Sequence, residues 1–244
     1  MSLNNLIAKL AGTSWGAGAS TLHTSALALC HTVTEYCCPV WARSSYTNLI
    51  DTQLHSSMRL ISGCLQPTQL SWLPMLSNVA PPSLRCKSAT DYLLQGIEAH
   101  SNWPVYAGVF EHPPPRLASR RQIWSDVISV DSGERTGRGP WASVVNHTIV
   151  TDPTTQQLGF NLPHHPWSLM NRFQTGQGPC RANLHKWGLA PSPSCDCGQR
   201  QTMNHTVDAC LITTEFQGGL NLLHEADDEA VMWLKSTATA VLAK

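Results

Sequence analysis

Charge is what this chain has least of. Asp, Glu, Lys and Arg make up 13% of its 244 residues, where an ordinary soluble domain carries about 25%. Formal net charge is zero, so no global basic field marks it as a nucleic-acid binder. The scarcity instead suggests surfaces that expect a partner. No run of 18 apolar residues occurs, so no membrane span is expected. The opening residues, Met1-Ser2-Leu3-Asn4-Asn5-Leu6-Ile7-Ala8-Lys9-Leu10, lack a charged segment followed by a continuous apolar one, so no secretory leader is expected either. An intracellular setting follows, nucleus or cytoplasm. The nine cysteines are odd in number and too sparse for a disulfide scaffold. In a reducing compartment they are free thiols or metal ligands. Nucleophile-elbow, phosphate-loop and dinucleotide-binding patterns are all missing.

The chemistry that is present concentrates near the C-terminus. Cys195, Cys197, His205 and Cys210 follow the pattern C-x-C-x7-H-x4-C. Four soft or borderline ligands this close can close a tetrahedron around one zinc ion, and a closed Cys3His site is structural rather than catalytic. The one-residue gap between Cys195 and Cys197 demands a tight turn, and Gly198 supplies the backbone freedom for it. The plainer alternative is a set of unrelated thiols and a surface histidine.

Hydrophobic periodicity predicts a mostly α fold. A helix is expected from Thr21 to Val40, with Leu22, Ala26, Leu29, Val33, Tyr36 and Val40 on one face. A second runs from about Ser45 to Cys64, with Tyr46, Leu49, Ile50, Leu54, Met58 and Ile61 as its stripe. Gly63 and Pro67 end it. A short turn at Leu70–Leu76 precedes a third long helix, opened by Pro81-Pro82 and running to about His100. Pattern fades over residues 101–165, which read as a partly irregular linker with one short strand around Val144–Val150. Helical signal returns at Pro166–Phe173 and Ala182–Trp187. It returns again at His224–Val241, within an acidic tail over 215–244 that holds five acids against two bases. The expected organisation is a helical bundle over 1–100, the linker, a helical segment with the cysteine module over 166–214, and the acidic helix.

Six blocks carry a family resemblance. Glu35-Tyr36-Cys37-Cys38-Pro39-Val40-Trp41, Met58-Arg59-Leu60-Ile61-Ser62-Gly63 and Trp72-Leu73-Pro74-Met75-Leu76-Ser77-Asn78-Val79 resemble the region just after the palm of jockey-type non-LTR retrotransposon reverse transcriptases. Trp167-Ser168-Leu169-Met170-Asn171-Arg172-Phe173-Gln174-Thr175-Gly176-Gln177-Gly178, Leu184-His185-Lys186-Trp187-Gly188-Leu189-Ala190 and the Cys/His run are similar to the family's C-terminal segment. The resemblance implies a helical thumb-like bundle followed by a zinc-knuckle-like module, with Cys195, Cys197, His205 and Cys210 as ligands. It implies RNA or DNA, as template or target, and other proteins of the same element as partners. The family's fingers, palm and catalytic aspartates have no counterpart in the chain, so no polymerase activity is expected of it alone.

Arg172, Arg181, Lys186, Trp187 and Arg200 are the candidate nucleic-acid contacts. Lys186-Trp187 joins a charge to a stacking surface, which suits single strands. Arg59 and Arg85 are further basic candidates. Two decoys are set aside. Ala226-Asp227-Asp228 imitates a polymerase aspartate pair but is preceded by Glu225 rather than an aromatic, and its acidic flanks suit a helix start. His164-His165 reads as a loop, since no cysteine or carboxylate accompanies it. The leading expectation is a nucleic-acid-binding, non-catalytic fragment of a retrotransposon polymerase. The competing expectation is a zinc-stabilised helical module that binds another protein and no nucleic acid.

Overall fold

A computed structural model describes residues 3–12, 16–111, 159–203, 205 and 206, with 157 and 232 singly. It is mostly helical, and among the described residues the β-type pairing is a single bridge between Ser194 and Arg200. The strand expected near Val144–Val150, the helix expected at His224–Val241 and Cys210 lie outside the described residues.

Helix α1 (Leu3–Leu10) buries Ile7. Helix α2 (Ala19–Ala26) buries Ala19, Leu22 and Ala26 and runs into a π-helical turn at Leu27–His31, then α3 (Thr32–Tyr36) and α4 (Cys38–Trp41). The π turn explains why the expected apolar stripe divides. A π turn adds one residue to the helical repeat, which rotates everything beyond it by about 100° about the axis. Leu22 and Ala26 therefore stay in the core, while Leu29, Val33, Tyr36 and Val40 emerge at 38%, 62%, 87% and 84% exposure. Cys30, His31 and Cys38 take the buried face in their place.

Helix α5 (Thr47–Ser62) buries Leu54, Met58 and Ile61 and leaves Tyr46 and Leu49 in solvent. A 3-10 turn at Leu70–Trp72 leads to α6 (Leu73–Ser77), which Asn78 ends in a left-handed conformation with φ 53°. Helix α7 (Pro82–Ala99) starts on a proline, as the lost N–H of a first helical residue allows. Arg85 on α7 pairs with Glu35 on α3 through Nη2 to Oε2 at 2.9 Å, and again through Nε. Helix α8 (Pro104–Tyr106) and a π turn at Ala107–Glu111 pack beside α7 in a small cluster of Leu94, Ile97 and Val109.

The sequence pattern divides the chain across 101–165, but the buried core crosses that division. Helix α9 (His164–Gln174) puts Trp167, Met170 and Phe173 into the same cluster as Ile7, Leu22, Met58, Ile61, Leu73 and Leu76. The physical reason lies at the C-terminus of α5. The last carbonyls of a helix have no partner within it. Here four consecutive ones are taken by one face of α9. His164 Nε2 donates to Leu60 O at 3.0 Å, Trp167 Nε1 to Ile61 O at 3.2 Å, Asn171 Nδ2 to Ser62 O at 2.8 Å and Arg172 Nε to Gly63 O at 2.8 Å. The donors sit at spacings of three, four and one, so they share a stripe of the helix. His164 is therefore a buried cap, not part of a loop.

Gly63 is what lets α9 approach. It is left-handed at φ 67°, and a Cβ there would lie 2.0 Å from Ser168 Oγ and 2.9 Å from Ser168 Cα. Neither the backbone conformation nor the space admits a side chain. Gly63→Ala is expected to destabilise the protein by about 2–4 kcal/mol, combining a left-handed alanine with an overpacked contact. Urea unfolding followed by circular dichroism measures it. A loss below about 0.5 kcal/mol, the ordinary range of a neutral surface change, would show that α9 does not depend on this close approach.

Candidate metal centre

The cysteine run folds as a small hairpin for local reasons. Gly198 N–H donates to Cys195 O at 2.9 Å, and Cys195 N–H donates to Gln199 O at 2.6 Å. Gly198 is left-handed at φ 86°. A tight turn closed by a left-handed glycine and a bulge is a common three-residue hairpin loop. The Ser194–Arg200 bridge closes its open end. The turn carries Cys195 and Cys197 on adjacent arms with Asp196 between them.

His205 arrives from the next segment. Thr202 caps that segment: its Oγ1 accepts from His205 N at 3.2 Å, and its carbonyl accepts from Thr206 N at 2.9 Å. A threonine side chain accepting from a backbone N–H three residues on is helix-capping chemistry. The result brings Cys197 Sγ to 3.2 Å from His205 Nε2. The ligand atoms of Cys195, Cys197 and His205 all lie within 4.8 Å of one another. Tetrahedral zinc with about 2.3 Å bonds to sulfur and about 2.0 Å to nitrogen needs ligand atoms about 3.5–3.8 Å apart. The three residues can hold a metal ion.

The hairpin is anchored to α10 (Arg181–Lys186), which α9 leads into through residues 175–180. Arg181 Nη1 donates to Ser194 O at 3.1 Å and its Nη2 pairs with Asp196 Oδ1 at 3.2 Å. Gln201, buried, joins the two elements through both its side chain and its backbone. Met203 and Phe173 both crowd Gly178, where a Cβ would be only 2.8 Å from either side chain, and both belong to the main core cluster. That shared cluster ties the module to the bundle core. Beside the hairpin lies an open groove of about 710 Å³, with Lys186, His185 and Arg200 on its walls and Cys180 and Met203 among its other lining residues. Burial holds the Cys180 thiol above its ordinary pKa, so it stays protonated and inert.

No protein-family model, curated protein or solved structure matches the chain.

The structure sorts the candidate nucleic-acid residues into two groups. Arg172 spends its Nε on the Gly63 carbonyl inside the α5–α9 contact, where burial depresses its pKa. That nitrogen braces the fold. Arg181 is likewise a brace, bound to Ser194 and Asp196. Arg59 donates to the Gln66 and Thr68 carbonyls, and Arg85 holds Glu35. Lys186, Trp187 and Arg200 remain at the surface, with Trp187 37% exposed. His185, exposed on α10, lines the groove with Lys186 and Arg200. Spacing alone could have found it, since it adjoins Lys186.

One buried constellation imitates a hydrolase site and fails. Ser57 Oγ lies 3.1 Å from His31 Nε2, and His31 Nδ1 lies 3.9 Å from Glu35 Oε1. Ser57 already donates its proton to Leu54 O at 2.7 Å, so His31 must donate from Nε2. A catalytic histidine would carry its proton on Nδ1, facing the carboxylate, and accept at Nε2. Both His31 and Ser57 are fully buried. Burial drives His31 down to about 4, so it is a neutral core histidine.

Proposed function

We propose that this chain is a zinc-stabilised helical module that binds nucleic acid and is not catalytic by itself. The observation that carries the reading is the convergence of Cys195, Cys197 and His205 beside a groove walled by Lys186, His185 and Arg200. Thiolate and imidazole ligands favour zinc over the harder divalent cations. Cys210, five residues beyond His205, would complete the set. Four protein ligands leave no open position for a substrate, which makes the ion structural. The groove offers cationic groups for phosphate, and Trp187 beside Lys186 offers a face on which a base can stack. The resemblance to the C-terminal part of non-LTR reverse transcriptases agrees with this. On that resemblance the chain would be a nucleic-acid-holding piece of such a polymerase, without the palm.

Gel-shift titration with fluorescent single-stranded and duplex oligonucleotides at several salt concentrations tests the reading. Binding is expected at about 50 mM salt and is expected to weaken steeply by 200 mM. Replacing Lys186 and Arg200 together by alanine is expected to reduce the salt slope by about two and the affinity at least tenfold. Absence of any shift at low salt, with RNA and DNA alike, would overturn it. A second reading would then stand. The exposed stripe of Leu29, Val33, Tyr36 and Val40 favours a protein-interaction module, because contiguous apolar surface is uncommon without a partner.

A further inference from the structure

Gln201 is buried, 6% exposed, at the junction of the hairpin and α10. Its backbone works in both directions. Its N–H donates to Pro193 O at 2.9 Å, and its carbonyl accepts from Ala182 N at 3.1 Å. Its side chain does the same. The Arg181 backbone N–H, which can only donate, lies 2.9 Å from one end of the carboxamide. That end must be Oε1, which fixes the amide orientation by chemistry. Nε2 is left facing Cys195 Sγ at 3.7 Å.

Two consequences follow from one side chain. The first backbone N–H groups of a helix have no partner within it. At the start of α10, those of Arg181 and Ala182 are taken by the side-chain and main-chain oxygens of Gln201. At its other end the same carboxamide presents an N–H to a sulfur of the candidate metal site. A thiolate that accepts such a bond is held in its orientation and with less electron density pushed onto the metal.

We propose that Gln201 is a positioning residue: through Nε2 it supports the metal-bound thiolate of Cys195, and through Oε1 it fixes α10, so that filling the metal site also sets the groove that carries Lys186. The inference rests on the metal reading of Cys195, Cys197 and His205. It adds a residue outside the C-x-C-x7-H-x4-C pattern whose exchange should alter the metal without removing a ligand.

Cobalt(II) is the probe, because its thiolate charge-transfer absorption reports on the sulfur directly. Gln201→Glu keeps an oxygen for the Arg181 N–H and loses the donor to Cys195, replacing it with a second negative group. Gln201→Leu loses both. The wild-type protein is expected to bind one cobalt with a charge-transfer band. In Gln201→Glu that band is expected at lower energy, since a sulfur that loses this donor beside a new negative group has its lone pair raised, and the cobalt affinity is expected to fall 10–100-fold, the usual range for a partner of a ligand. Hydrogen exchange at the Arg181 amide is expected to stay slow in Gln201→Glu and to become fast in Gln201→Leu. A residue that merely filled space would move neither the band nor the exchange in this selective way. A wild-type protein that takes up no cobalt would overturn the metal reading itself. A wild-type protein that binds cobalt, with band and affinity unchanged in both variants, would overturn the role of Gln201 alone. Far-ultraviolet circular dichroism confirms that each variant is folded. If Gln201→Glu fails to fold, the band position and affinity in Gln201→Leu decide the thiolate role.

Discussion

Cys195→Ser is expected to strip the protein of its zinc and to unfold the segment around residues 193–206. Wild-type protein purified without chelator should carry one zinc per chain by elemental analysis, and the variant close to none. The size of the effect follows from what else holds this segment. Cys195, Gln201, Met203, His205 and Thr206 are its buried residues, while Asp196, Cys197, Gly198, Gln199 and Arg200 are exposed. A hairpin closed by one bridge, with so little apolar area, has no core of its own. In zinc-finger peptides the apparent binding free energy of about 10–16 kcal/mol is folding free energy. A large part of that is at stake here. The hydrogen bonds of Arg181 to Ser194 and Gln201 to Cys195 would be lost with it, and the Lys186 side of the groove would lose its support. Limited proteolysis should then cut the variant, or chelator-treated wild type, between residues 190 and 206, while α5 and α9 stay protected. Full zinc content in both Cys195→Ser and Cys197→Ser would sink the site.

Local patterns in the chain foretell its local structure, but not the contacts made through the backbone. The turn chemistry of Cys195-Asp196-Cys197-Gly198 is local, so ligand spacing is readable by eye and the three described ligands meet as their pattern suggests. Long helices with an unbroken 3.6-residue period are readable too: α5 and α7 fall within two residues of their expected limits. The α2–α4 stripe is not, because the π turn at Leu27–His31 shifts its phase and nothing in Leu-Ala-Leu-Cys-His marks a π turn. Nor is the seating of α9. Its acceptors are backbone carbonyls, which every residue owns, so the targets of His164, Trp167, Asn171 and Arg172 leave no signature at positions 60–63. That is why Arg172 reads as a free cation in the sequence and as a helix cap in the structure. Only Gly63 hints at it, and a glycine after a helix is equally explained by an ordinary left-handed cap.

Trp167→Ala is expected to have the largest effect of any single substitution outside the metal site. Trp167 is fully buried, packs edge-on against Phe160 at 5.3 Å between ring centroids, and donates its indole N–H to the Ile61 carbonyl. Truncation leaves a cavity in the cluster that Met58, Ile61 and Phe173 share, a change that typically costs about 3–5 kcal/mol. It also leaves a buried helix-terminal carbonyl without its donor, worth about 1–3 kcal/mol when the group cannot reach water. The two losses overlap, so about 4–6 kcal/mol is the expected total. That is comparable with the whole stability of a small domain, about 5–15 kcal/mol. Trp167→Phe separates the terms, since it keeps most of the ring volume and removes the N–H; about 1–2 kcal/mol is expected of it. Urea unfolding monitored at two wavelengths measures both variants. The effect should also travel. Helix α9 carries Phe173, which shares the core cluster with Met203, so loosening its seat should release zinc faster into a competing chelator, although residue 167 is far from Cys195 and Cys197 in sequence. If Trp167→Ala lost less than about 1 kcal/mol, or if its zinc left no faster than from wild type, then the bundle and the cysteine module would be two independent structures, and the row of capped carbonyls at the end of α5 would be a contact without consequence.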